Sequence, residues 1–563
     1  MVESAVGATS LDFCPLPTLG GAELIGEVVW DAIANPTNSV YCDGDHKSLL
    51  RLRQVEALLK KNPSIDGASQ DDRKAKAFAK FRKVQRRNAR SAKRLRLYFG
   101  DPQRIPPLVR LVLDEARMDL FRLLGPYPTA DDWEEFMRAA PFSSGTLQGL
   151  QRFGKQSAKD CDPYAKVGPE QVLTSTAKCM RFYGSALLAG SYGNHLQDLY
   201  RKGKLGIEEA VASVLSTQPK DASIDRVITT EPLLNAMAQR GCAAMLNLYL
   251  RDWGINLHDQ SRNGKLARTA SERGFAPDGF STVDLVSASD TVLTVLVRRQ
   301  LPEGWFDALD ACRTGSWSLD DEVSQDDNTF SFMGNGFTFP LQCLLFASLV
   351  RACIRLTACD DRRWRVYGDD IVCPTGASAI LLEVLRFCGF IPNIAKSHVV
   401  GFFRESCGQD WLNGNNVRPV FLKDSLGKRT TRHAFFNRLQ MVDRSHPVLG
   451  TMLASEKDPL VGPAIGPAGG EEGHYVAPIF VLNKVGKVEW LPAVQSYAYW
   501  YKTLVGAARR RTRNDDGRRL LACLAGSPGP RHDIRDTIRY RVELRCTTTP
   551  FVAAPASPAW YIF

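Results

Sequence analysis

The chain has 563 residues, 44% apolar and 24% charged, with a formal net charge of +11 and a pI near 9.0. This is the composition of a globular protein large enough for several subdomains, and its basic excess suits a polyanionic partner, nucleic acid foremost. The 14 cysteines include no Cys-x-x-Cys and the 8 histidines do not cluster with them, which argues against structural zinc and for reduced thiols in a cytosol.

In chain order, the first marked segment is Arg73 to Arg96, with 12 Lys/Arg and no acidic residue. It lacks Pro and Gly and predicts a basic helix. Such a run repels itself unless a polyanion or an acidic partner covers it, so Arg86 and Arg87 are candidate RNA-backbone contacts. Residues 100 to 265 mix helical and irregular segments. Thr282 to Val286 then reads as a short buried strand, with Asp284 near its end, running into a helix. Val292, Val295 and Leu296 follow at helical spacing, so Ser289 or Asp290 stands at the expected N-cap.

Phe332 to Phe339 is a glycine-rich loop that opens a further helix. Gly334 and Gly336 would let the backbone approach a ligand closely. Asn335 between them carries an amide that both donates and accepts, which suits a ribose 2′-hydroxyl. The apolar run Leu341 to Leu356 is short and contains Arg351, so no membrane span is expected. Tyr367-Gly368-Asp369-Asp370 is the most informative stretch. Strand-like residues flank a Gly-Asp turn, and two carboxylates at such a tip can converge on one hard cation such as Mg²⁺. Ile380, Leu381, Val384, Leu385 and Cys388 form one helix face, with Gly389 as its C-cap. Arg509-Arg510-Arg511, Arg513 and Arg518-Arg519 form a second basic cluster. Thr547 to Pro558 reads as irregular.

The order of carboxylate strand, Gly-Asn-Gly loop with helix, and Gly-Asp-Asp hairpin resembles the palm of a template-directed polymerase. The sequence is most similar to the RNA-dependent RNA polymerases of positive-strand RNA bacteriophages, the levivirus replicase beta subunits. The resemblance rests on Ile224 to Val227, Trp253 to Leu257 with Asp259-Gln260-Ser261, and Val283 to Asp290. Met333 to Phe339, Val366 to Asp370 and Phe403-Arg404-Glu405-Ser406-Cys407-Gly408 complete it. It implies an α+β right hand. Residues 1–253 would form the N-terminal region and fingers, and 254–384 the palm, an antiparallel sheet backed by helices. Residues 385–423 would form the palm–thumb junction, and 424–563 the thumb and C-terminal region.

The same resemblance implies RNA copying from NTPs with two Mg²⁺, for which Mn²⁺ can substitute. Asp284, Asp369 and Asp370 become the catalytic, metal-binding carboxylates, with Asp284 and Asp369 as the bridging pair. Asn335 and Ser289 or Asp290 would select ribose. Arg226 and Lys220 lie where the family places phosphate contacts. Lys396 lies where a lysine is thought to protonate pyrophosphate. Arg404 falls in the turn that holds the product 3′ end. Primer-independent initiation, action in the cytoplasm of a bacterial host, and host elongation factors Tu and Ts with an RNA-binding ribosomal protein are implied likewise. The alternatives are a reverse transcriptase, which more often has Ala, Met or Val where Gly368 stands, and a non-catalytic RNA-binding protein of the same fold.

Overall fold

A computed structural model describes residues 46–60, 69–140, most of 171–507 and the strand 539–549. The second basic cluster, Arg509 to Arg519, lies outside the described residues. Helix α1 (His46–Lys60) is followed by α2 (Gln70–Gly100) and α3 (Pro107–Leu124). α2 is the basic block. Ser69 and Asp72 close a capping box at its start, and Asp71 and Asp72 meet the positive end of the helix dipole. Ala77, Phe81, Val84, Asn88, Ala92 and Leu95 recur every three or four residues and bury one stripe, which leaves the cations on the outer face.

Strands β1 (Ser213–Pro219) and β2 (Asp225–Thr230) form an antiparallel pair, and α4 (Leu233–Asp252) and α5 (Ser261–Arg273) follow. Next come β3 (Phe280–Val283), α6 (Thr294–Gln300), and the pair β4 (Ser316–Leu319) and β5 (Glu322–Gln325). β4 joins β1 in parallel, completing a four-stranded sheet ordered β2-β1-β4-β5. α7 (Thr338–Leu356) leads to β6 (Arg365–Tyr367), β7 (Asp370–Pro374) and α8 (Thr375–Phe387). β3, β7 and β6 form a three-stranded antiparallel sheet with β7 central. Its register pairs Val283 with Ile371 and Tyr367 with Asp370. Asp284, one residue past Val283, therefore emerges beside the Gly368-Asp369 turn.

α7 is buried on nearly every side and lies in the main core with α3, α4 and α8. Its 19 residues are long and apolar enough to cross a membrane by length and composition, so the brevity argued from the sequence does not hold. Packing decides the matter: 78% of its apolar window is buried inside the protein. Its two arginines, Arg351 and Arg355, reach Asp119 of α3 at 3.1 and 2.7 Å.

Two local expectations are corrected. Neither Ser289 nor Asp290 caps α6; they lie in a short 3-10 turn, Ala288–Thr291, and Leu293 occupies the N-cap without a side-chain bond. Thr547 to Thr549 are strand, paired with Tyr497 to Tyr499. α1, in the N-terminal region, packs on the far half of the chain. Gln54 exchanges two hydrogen bonds with the Val420 backbone at 2.7 and 2.8 Å, and Arg53 meets Asp410 at 2.5 Å. Leu58 joins a second core with Phe435, Phe436, Leu449 and Tyr475.

Candidate active site

The register of the small sheet gathers the three predicted aspartates at one edge. Gly368 has φ +62° while Asp369 stays at negative φ, the sign pattern of a two-residue II′ hairpin turn. The turn is tied down from beneath. The Gly368 N–H donates to Cys343 Sγ of α7 at 3.0 Å, and a Cβ on Gly368 would come within 2.4 Å of the Phe339 ring. Asp369 is thereby held at the tip.

Asp284 accepts from Asn393 Nδ2 at 2.7 Å, and Asn393 N–H donates to the Asp284 carbonyl at 2.8 Å. Asp370 accepts from the Cys407 N–H at 3.0 Å and from the Ser406 hydroxyl at 3.5 Å. These two residues belong to the hairpin of β8 (Phe403–Ser406) and β9 (Gln409–Leu412). Its turn residues Cys407 and Gly408 both have positive φ, 49° and 70°, an unusual conformation for a cysteine.

Burial raises the pKa of all three carboxyl groups. Asp370 is pushed up to about 6, by burial first and then by the neighbouring charges of Asp369 and Asp284. For Asp284 the opposing influences are Lys396 and Asn393; for Asp369 they are its own N–H, Lys396, Arg226 and Lys220. Arg226 and Lys220 therefore share an electrostatic basin with the aspartates, and both are exposed. Lys220 is itself lowered by burial and then by the Lys80 and Arg226 charges.

Lys396 lies 3.6 Å from Glu405, which also meets Arg418 at 3.7 Å. Burial disfavours the Lys396 cation, but Glu405, Asp284 and Asp370 outweigh it and raise its pKa. Glu405 is thus a fourth carboxylate of the cluster, to which the sequence reading gave no role there. The available signal was strand alternation: Arg404 points into the core, so Glu405 faces the other way.

The Asn335 loop packs on β2, where the Thr229 N–H donates to the Met333 carbonyl at 2.7 Å. Asn335 is 8% exposed, and its Oδ1 accepts from the Phe337 N–H at 3.0 Å, which leaves its NH₂ as the outward donor. The Met333 N–H reaches the carboxylate of Asp290, whose pKa burial raises to about 6. Ser289 is half-buried beside it. Gly334 and Gly336 serve the protein rather than a ligand. Gly334 has φ +120°, and a Cβ there would meet the Thr229 carbonyl at 2.1 Å. A Cβ on Gly336 would press on Gln239 at 3.2 Å, and its N–H donates to Gln239 Oε1 at 3.1 Å.

Arg404 is also corrected. It is 0% exposed, and its guanidinium donates to the carbonyls of Phe280, Gly274, Val399, Gly401 and Phe403. A side chain so enclosed cannot touch RNA; it latches β8 to β3 and the end of α5. Arg86 is exposed and Arg87 half-buried on α2, and neither forms an ion pair with a described residue.

Comparison with known proteins adds a family. The family model described as RNA replicase, beta-chain, matches residues 45–448. The RNA-directed RNA polymerase subunit beta of Enterobacteria phage SP is 40% identical over 207 residues, 37% of this chain and 35% of that protein. The corresponding subunit of Escherichia virus Qbeta is 33% identical over 309 residues, 55% of this chain and 48% of its own length. The RNA-directed RNA polymerase beta chain of Enterobacteria phage GA is 32% identical over 288 residues, 51% and 52%. The chain therefore spans about half, or less, of the length of these relatives. Among solved structures, the RNA-dependent RNA polymerase of a human picorbirnavirus aligns at 13% identity and TM-score 0.33, over 43% of this chain and 55% of that one. With 404 consecutive positions matched, residues 45–448, the chain belongs to the RNA replicase beta-chain family.

Proposed function

We propose that the chain is an RNA-directed RNA polymerase that copies a single-stranded RNA phage genome in the cytoplasm of its bacterial host. The observation that carries the reading is the meeting of Asp284, Asp369 and Asp370 on adjacent antiparallel strands, with the cations Lys220 and Arg226 acting on Asp369. The beta-chain name of its relatives supports a subunit of a larger replicase. Host elongation factors Tu and Ts and an RNA-binding ribosomal protein are the partners we assign by that likeness.

The donor set fits Mg²⁺. Among the described residues no group of three or more His, Cys, Asp or Glu side chains is placed to hold a metal ion, so a bound ion would draw the rest of its ligands from waters and substrate. Asp284 and Asp369 offer only oxygen, and neither is ion-paired with a described residue. That suits a hard cation that keeps waters and shares substrate phosphates. When bound, a Mg²⁺ pair activates the attacking 3′-hydroxyl and neutralises the leaving pyrophosphate. Asp284 and Asp369 would hold it. Asp370, engaged by the Cys407 N–H and the Ser406 hydroxyl, orients the tip from behind.

The remaining roles follow from position. Asn335 donates to the ribose, and the buried Asp290 fixes the loop that carries it. Lys220 and Arg226 meet the triphosphate. Lys396 stays protonated at neutral pH, so it supplies positive charge and a proton beside the leaving group, although its raised pKa makes it a slow donor. Residues 1–253 are assigned to the N-terminal region and fingers, 254–384 with the β3-β7-β6 sheet to the palm, 385–423 to the palm–thumb junction, and 424–563 to the thumb and C-terminal region.

The test is RNA-templated incorporation of labelled NTPs by the purified chain, alone and with co-purifying host proteins. Asp369→Asn should lower incorporation by at least about 10³-fold while RNA binding persists. Incorporation that survives this change in Mg²⁺, or a preference for dNTPs, contradicts the reading.

A further inference from the structure

α2 is fastened across the site at two points. Near its start Arg73 pairs with Asp225, the residue before Arg226, at 3.4 Å. Further along, Asn88 Nδ2 donates to the Asp290 carbonyl at 2.6 Å and to Thr329 Oγ1 at 2.9 Å. Between these points Phe81 sits edge-on to Trp317 and against Phe332, with ring centroids 5.4 and 5.7 Å apart. Phe332 opens the glycine-rich loop, two residues before Gly334.

Lys80 stands midway between the two fastenings. It follows Arg73 by close to two helical turns, roughly 10 Å along the axis, and so faces the same side as Arg73. That side is the one turned toward β2, where Arg226 lies. Lys80 is exposed and forms no ion pair with a described residue. Its charge bears on both borders of the nucleotide site, since it acts on Lys220 from one side and on Asp290 from the other. Asp221 and Asp369 are carboxylates that bear on Lys220, and Ser223 and the Ile224 N–H already occupy Asp221. Lys80 and Arg226 are thus like charges that both disfavour the Lys220 cation, an arrangement that a polyphosphate relieves.

We propose that Lys80, carried on the N-terminal basic helix, is a triphosphate-contacting residue that completes with Lys220 and Arg226 the cationic wall receiving the incoming nucleotide. The inference rests on the polymerase reading in taking the ligand to be a nucleoside triphosphate.

Two measurements on the whole chain test it: equilibrium binding of labelled GTP with Mg²⁺, and steady-state incorporation on a primed RNA template. Lys80→Ala should raise the GTP Kd and the GTP KM together by about tenfold, with kcat and RNA affinity little changed. Lys80→Arg should recover most of the loss, because a positive charge is restored at the same place. Unchanged Kd and KM overturn the proposal. So does a loss of RNA affinity with GTP binding intact, which would make Lys80 an RNA-backbone contact. A wild-type chain that binds GTP but incorporates none sinks the polymerase reading, while the Lys80→Ala comparison in GTP binding still decides this one.

Discussion

Asp290 is buried, and its Oδ1 has no hydrogen-bond partner. Its carboxyl group is raised from 3.8 to about 6 by burial, against the pull of the Met333 N–H and Lys80. The folded protein therefore binds this proton more tightly than the unfolded chain does. Its ionisation costs stability above about pH 6, and that cost disappears as the pH falls toward 4. Asp290→Asn should accordingly stabilise the fold at pH 8 by about 1–3 kcal/mol, with a smaller gain at pH 5, and should impair nucleotide incorporation. Urea unfolding at the two pH values checks this; a variant less stable at pH 8 would contradict it. Asp284, Asp369, Asp370 and Asn335 were legible because each sits in a short local pattern of turn, strand end or glycine pair. Glu405 and Lys80 were not, since what marks them is contact between segments far apart in the chain.

Among the elements, the Gly-Asn-Gly loop is pinned by packing. Gly334 lies against β2 so closely that Thr229 N–H donates to the Met333 carbonyl at 2.7 Å. Gly334→Ala must move the loop off the strand and also strain a positive φ, at a cost on the order of 1–3 kcal/mol. The expected result is a protein that still unfolds cooperatively but shows a raised NTP KM, because Asn335 is displaced. Wild-type kinetics with the substitution present would show that the loop position is immaterial. The helices α7 and α8 and the two strands that carry the aspartates could be read from periodicity. The role of the glycines was misread, because a close approach by protein and one by ligand leave the same mark in sequence. The caps of α6 were misplaced because a 3-10 turn intervenes between strand and helix.

At the scale of the molecule, α2 presents a row of cations on its outer face. Lys83, Arg86 and Arg90 line the outer side of α2, and none forms an ion pair with a described residue. Replacing all three by Ala should weaken RNA binding and flatten its dependence on log salt concentration by roughly 2. Filter binding over a salt series measures the slope, and an unchanged slope would place the RNA elsewhere. The α+β architecture was foreseeable from the order of motifs. The attachment of α1 to the Asp410–Asp443 region was not, because nothing local in His46 to Lys60 names a partner so distant. Arg404 is the extreme case of such separation, bonded to a carbonyl at Phe280 across 124 positions. During synthesis Phe280 leaves the ribosome well before Arg404 does. The strand leading to Asp284 must wait, without this latch, until Arg404 is made, so a chain released before that point would carry the three aspartates without the latch that sets their strand.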